Sequence, residues 1–231
     1  NCAGGFGLDS DNNVATLNSS AFAKIAGIDN ISPNGVLANR RSLYGGYFNG
    51  GVGAGQSYAY VGIKYNATNT GTGGTNYKII GNGTNSTMIM DKENKPRVLF
   101  SPEAPEILFE DYGTAELVNG EVYVPIDEIL KESLYIDDKH PLKVFIQLEG
   151  DCNGVFVTEK SKNGFKVKEL ANGTSNTKFS WHIVANRADD KDAQGNITSE
   201  HVGLRLPYGP VPAKETQLAI KSNEKNIVAQ K

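Results

Sequence analysis

Basic residues form no long run in this sequence, tryptophan occurs once, and cysteine, methionine and histidine together number only seven in 231 residues. With 23 Lys and Arg dispersed among 26 Asp and Glu, no stretch is built to neutralise a row of phosphates, and nucleic acid is excluded as the expected partner. No run of about 18 apolar residues is present, so no helical membrane insertion is expected. A chain that opens on Asn1 rather than Met reads as a processed protein or a piece of a longer one.

The scarce reactive residues do not assemble into a recognisable chemistry. Cys2 and Cys152 match no metal-binding spacing, and they leave open a disulfide with each other, a cross-link to another chain, or two free thiols. His140, His182 and His201 are scattered. A Gly-x-Ser-x-Gly elbow, a phosphate loop and His-Glu-x-x-His are all missing, so no catalytic residue is assigned and no cofactor is expected. Glu103, Glu106, Glu110 and Asp111 lie in or beside a proline-rich segment and read as a solvated acidic strip rather than a glycosidase pair. Asp190 and Asp192 begin a run with side-chain oxygens at alternate positions before Gly195, as a calcium loop does. The acidic residue that would close such a loop, Glu200, falls one position early, so these weak metal candidates read better as part of a hairpin loop.

What the sequence does hold is strand and turn signal. Val144, Ile146 and Leu148, then Phe165 and Val167, then Phe179, Trp181, Ile183 and Ala185 fall on alternate positions between polar neighbours, the period of half-buried strands. That phase places Trp181 in a core and His182 on the opposite face. Asn119-Gly120 predicts a two-residue type I′ turn between Ala115–Val118 and Glu121–Val124, because both central residues need positive φ. Only Pro125–Leu134 reads as helix, with Ile126, Ile129 and Leu130 on one side. Tyr112 and Tyr208, in turn-rich segments, are the exposed aromatics singled out as candidate binding residues.

Composition changes near residue 90. Residues 1–90 hold 17 of the 26 glycines but only five Lys/Arg and three Asp/Glu. Tyrosine, phenylalanine, valine and isoleucine recur among the glycines and asparagines, which predicts short strands in a stack that needs a neighbour to bury its apolar face. Three prolines between Pro96 and Pro105 predict an extended linker. The expected division is a Gly/Asn-rich stalk over 1–98, a head over 99–187, and a loop and C-terminal tail over 188–231.

The stretch Tyr44-Gly45-Gly46-Tyr47-Phe48-Asn49-Gly50 resembles the GYFNG element of large bacterial surface and fibre proteins, especially of the Bacteroidota. Phe109–Gly113, Leu117–Gly120, Gly150–Gly154, Gly164–Val167 and Phe179–Ala185 are similar to the C-terminal module of those proteins, to which bacteriophage tail-fibre tips are related. The likeness covers 40–187 and implies a homotrimeric fibre end, extracellular, on a cell surface or a virion. A narrower likeness, over Gly164-Phe165-x-Val167 and Trp181, is to H-type lectin domains, trimeric sandwiches that bind sugars. The expected fold is therefore all-β: a stalk, intertwined or solenoid-like, followed by an antiparallel β-sandwich-like head in a trimer. The expected function is structural and adhesive, not enzymatic, with the chain's own copies as partners. A carbohydrate-binding adhesin head is the alternative, and a glycan hydrolase the remote one.

Overall fold

The computed structural model describes residues 22–29, 42–50, 57–66 and 73–213. The described chain is all-β, with several antiparallel sheets, none of them closed, and one short helix. It separates into two units: one takes in 1–63, 78–83 and 210–231, the other 64–77 and 84–209. This division cuts across the expected one at 98/99 and 187/188. Lys64, Thr75 and Asn76 bond to backbone and side chain at 198–200, which draws part of the supposed tail into one unit with part of the supposed stalk.

A four-stranded sheet runs in the order β1 (Phe22–Asp29), β2 (Ser42–Asn49), β3 (Tyr58–Tyr65) and β4 (Thr75–Gly81). Tyr44 and Tyr47 lie three residues apart, as do Tyr60 and Ile63, and strict alternation would put each pair on opposite faces. All four are nonetheless buried. The exception is made by glycine: Gly45 and Gly46 stand opposite Gly62 and Val61, and Gly62 takes φ +63°, so the pleat inverts there and the tyrosines share one side. Their rings pack edge-on and tilted, Tyr47 on Tyr60 at 4.7 Å and Tyr44 on Tyr60 at 5.1 Å. In the first unit the hydroxyls of Tyr58 and Tyr60 donate to the carbonyls of Pro210 and Val211, at 2.7 and 2.8 Å.

The second unit is organised around a different core. One sheet has β13 (Lys178–Arg187) between β10 (Lys143–Leu148) and β7 (Leu108–Glu116), with β9 (Leu134–Tyr135) on the end of β13. The other has β12 (Gly164–Glu169) between β11 (Val155–Ser161) and β8 (Glu121–Pro125). Val124, Phe165, Val167, Phe179, Ile183 and Ala185 come from both and, with Leu117 just after β7, form one buried cluster, with Val144, Ile146, Leu148 and Trp181 packed against it. The alternation read along 144–185 is thus the inner face of this core. Each fully buried Leu, Ile or Phe there contributes about 1.5–3 kcal/mol by leaving water.

The Asn119-Gly120 turn forms with φ of 51° and 83°. Val118 and Glu121 exchange backbone hydrogen bonds across it at 3.0 and 3.3 Å. The flanking strands, however, part company: β7 joins one sheet and β8 the other, so the expected hairpin is a corner between sheets. Gly173 approaches so closely that a Cβ on Gly120 would sit 1.9 Å from its carbonyl oxygen. The expected helix shrinks to α1 (Glu128–Glu132), capped by Asp127, whose carboxylate accepts from the N–H groups of Ile129 and Leu130. Ile126 is buried before it, Leu130 packs on the core, and Ile129 points to solvent.

The expected proline linker is in part a strand. Pro96 opens β6 (Pro96–Phe100), which pairs with β5 (Ser86–Met90) in a separate two-stranded hairpin. Proline is tolerated as a strand's first residue. Asp91 closes the turn, its carboxylate accepting from the N–H groups of Glu93 and Lys95 and from Arg97 Nε. A last short hairpin pairs β14 (Asp190–Lys191) with β15 (Ile197–Ser199).

Candidate functional site

Because odd-numbered residues of β13 face the core, Ser180, His182 and Val184 lie on the other face of the same sheet. Register then decides their neighbours. Tyr112 of β7 and Phe145 of β10 both pair with His182, and Thr114 and Gln147 both pair with Ser180. The Tyr112 ring stacks on the imidazole at 4.4 Å and 15°, and Phe145 lies on its other side at 5.4 Å and 29°. Three strands therefore present one aromatic row.

The row is accessible. Tyr112 is 64% exposed and Phe145 56%, and beside them a groove of about 490 Å³ runs over Thr114, Gln147 and Ser180. Its polar rim is fixed from within the fold: the Tyr112 hydroxyl donates to Glu110, and His182 Nε2 stands 3.3 Å from the same carboxylate. The Tyr112 hydrogen bond, with a smaller contribution from His182, holds the Glu110 carboxyl below its usual range, and the Tyr112 hydroxyl is raised in turn. At the other end the Ser180 hydroxyl donates to Glu149.

Trp181 lies behind the row. It is half-buried, meets Phe165 edge-to-face at 5.8 Å, and covers Gly113 so closely that a Cβ there would come within 2.3 Å of Cζ2. The absence of a side chain at Gly113 is what admits the indole. Trp181 is thus a support on the core side of the sheet, while Tyr112 and Phe145 face outward.

The remaining sequence candidates do not join this face. Tyr208 is exposed in the irregular segment after β15 and stacks on no ring among the described residues. Asp190 is held by the Arg187 guanidinium at 2.9 and 3.0 Å. Asp192 accepts from the N–H groups of Gln194 and Asn196 and closes their turn, the hairpin-loop reading. Among the described residues no group of three or more His, Cys, Asp or Glu is placed to hold a metal ion. Cys152 is half-buried, and Cys2 lies outside the described residues. Glu106 is held by Asn186 and Arg205, and Asp111 accepts from the Tyr112 N–H.

Sequence reasoning found Tyr112 and the outward phase of His182 but passed over Phe145. The signal was present: Phe145 is an aromatic residue on the polar phase of a strand whose Val144, Ile146 and Leu148 face inward. An aromatic face of this kind stacks on the C–H surface of a sugar ring or another flat apolar group, while hydroxyl and amide groups one step along the sheet take up its polar edge. No family model, curated protein or solved structure matches the chain.

Proposed function

We propose that this protein is a non-enzymatic adhesive module, displayed outside the cell on a bacterial surface or a virion as the end of a homotrimeric fibre, and that its head binds carbohydrate. The in-register row Tyr112–His182–Phe145 supports the binding part of this reading. Two exposed rings flank a third, and Thr114, Ser180 and Gln147 offer hydroxyl and amide groups beside them. The resemblance of 40–187 to fibre-end proteins supports the rest, with the Gly/Asn-rich N-terminal residues as the stalk. A glycan array probed with the full chain tests it. Retention on a defined set of oligosaccharides, lost in Tyr112→Ala and Phe145→Ala but kept in Tyr208→Ala, is the expected result. An array with no retention, or retention indifferent to Tyr112 and Phe145, overturns the binding part.

A further inference from the structure

The polar groups beside the aromatic row already have their hydrogen bonds arranged, and the arrangement is one-sided. The Tyr112 hydroxyl donates to Glu110 and the Ser180 hydroxyl to Glu149. A hydroxyl has one proton and two lone pairs, so with the proton committed each oxygen can only accept from a bound molecule. Gln147 turns one amide N–H back to the Leu148 carbonyl at 3.4 Å, which leaves its amide oxygen and one N–H for a ligand. The charges at the two ends of the groove have the same bias. Val184 pairs with both Lys143 and Glu110 at one end; at the other Lys178 pairs with Glu116, and its carbonyl accepts the Glu149 N–H. Each lysine thus has a glutamate in its own row, and a third carboxylate is left over.

We propose that the ligand of this face is a glycan free of acidic groups, which brings hydroxyl or ammonium donors to the acceptors of the protein, and that Glu110 and Glu149 set this selectivity. The inference rests on the reading of the face as a carbohydrate site and narrows the ligand class. Beside Tyr112 or Ser180 the carboxylate of a uronate, or a sulfate, meets an oxygen whose proton is already given away, and beside Glu110 or Glu149 it is repelled. A sugar hydroxyl there can donate, and the ammonium of an amino sugar brings three N–H donors and a charge that the carboxylates and the aromatic faces both attract. Stacking on Tyr112 and Phe145 uses the C–H face of a sugar ring and does not distinguish these cases. Affinity and selectivity therefore come from different groups: the rings hold the sugar, and the two glutamates, by taking the hydroxyl protons, decide which substituents it carries.

The test uses the full chain on a glycan array that holds matched series, in which one backbone occurs as the neutral sugar, the amino sugar and the uronate; oligomers of glucose, glucosamine and glucuronate are one series, those of galactose, galactosamine and galacturonate another. Retention of neutral and amine-bearing members is expected, with the acidic member of the same series at least about tenfold weaker. In Glu110→Gln with Glu149→Gln the shape is kept while both charges go, and the gap between neutral and acidic members should narrow to about threefold or less, with Trp181 emission unchanged as the sign that the fold is intact. The premise is also read without ligand: the Tyr112 hydroxyl, raised by its bond to Glu110, should titrate lower in Glu110→Gln. Acidic members retained as well as their neutral counterparts overturn the inference alone and leave the carbohydrate reading standing, whether or not the double variant folds. A gap that persists in the folded double variant, or a Tyr112 titration that does not move, overturns the part given to the glutamates. An array that retains nothing overturns both the inference and the reading it rests on.

Discussion

The two units bury aromatic side chains by opposite means. In the second unit Phe165, Phe179, Ile183 and Val167 fill a core with no polar atom in their side chains, and strand alternation alone sorts inside from outside. In the first, Tyr44, Tyr47 and Tyr60 are buried as deeply, but tyrosine carries a hydroxyl that needs a partner. Tyr58 and Tyr60 find theirs in the carbonyls of Pro210 and Val211. A glycine-rich strand pair can thus gain a core from tyrosine, provided that its glycines invert the pleat and a distant segment supplies acceptors. The comparison teaches that the first unit depends on specific hydrogen bonds where the second depends on volume.

The largest expected effect lies in the volume-dependent core. Phe165→Ala and Phe179→Ala should each cost about 3–5 kcal/mol, measured by denaturant unfolding followed through Trp181 emission. A cost near zero would mean that the two sheets do not share one core. Glycine substitutions sharpen the contrast next. Gly113→Ala should cost about 1–3 kcal/mol by driving a methyl group into the Trp181 ring, a packing failure. Gly62→Ala should cost about 1–2 kcal/mol through its positive φ, a backbone failure, because the nearest atom to its Cβ is a comfortable 3.9 Å away.

Removing single hydroxyls should then separate the units. Tyr58→Phe and Tyr60→Phe keep ring volume yet should each cost about 1 kcal/mol, and proteolysis within 209–213 should quicken once the carbonyls lose their donors. Unchanged cleavage there would show that ring packing alone orders the segment.

The smallest effect is acid sensitivity, and it should belong to the second unit. Burial opposes ionisation of Asp137, but the Tyr135 hydroxyl, the His140 N–H and ring, and the Lys139 N–H together bring its carboxyl from 3.8 down to about 2. Glu169, which accepts from the N–H groups of Asn153 and then Ser175, is lowered as well. A carboxyl depressed by folding contributes stability that is complete above its ordinary pKa and lost as pH falls through the folded value. For Asp137 that window runs from 3.8 towards 2. Residues 30–63 contain no Asp or Glu, so the tyrosine sheet has no matching carboxylates over that span. Melting temperatures from pH 5 to 2 should therefore fall for the second unit, with a shallower fall in Asp137→Asn.

What was legible in the sequence followed from patterns with one physical meaning. Period two along β10, β12 and β13 marked the inner face, Asn119-Gly120 marked a turn with two positive φ values, and Tyr112 stood out as an aromatic where turns were expected. The unread features are those in which two influences compete. Met88-Ile89-Met90 and Val98-Leu99-Phe100 are apolar throughout, so the hairpin has no alternation to betray it, and Pro96 disguised its second strand as linker. Tyr44 and Tyr47 break the period because glycines invert the pleat between them. The Asn119-Gly120 turn was readable, whereas the change of sheet across it depends on β12 and β13, which lie far along the chain. Phe145 was hidden in the same way, since its neighbours on the outward face come from two other strands.

Calorimetric titration of the full chain with an oligosaccharide retained on the array tests the central claim most directly. The account predicts that Tyr112→Ala and Phe145→Ala each weaken binding about tenfold, the loss of one stacked ring at roughly 1.4 kcal/mol, while Tyr208→Ala binds as the unaltered protein does. Equal affinity across all three variants, or a loss confined to Tyr208→Ala, would contradict it.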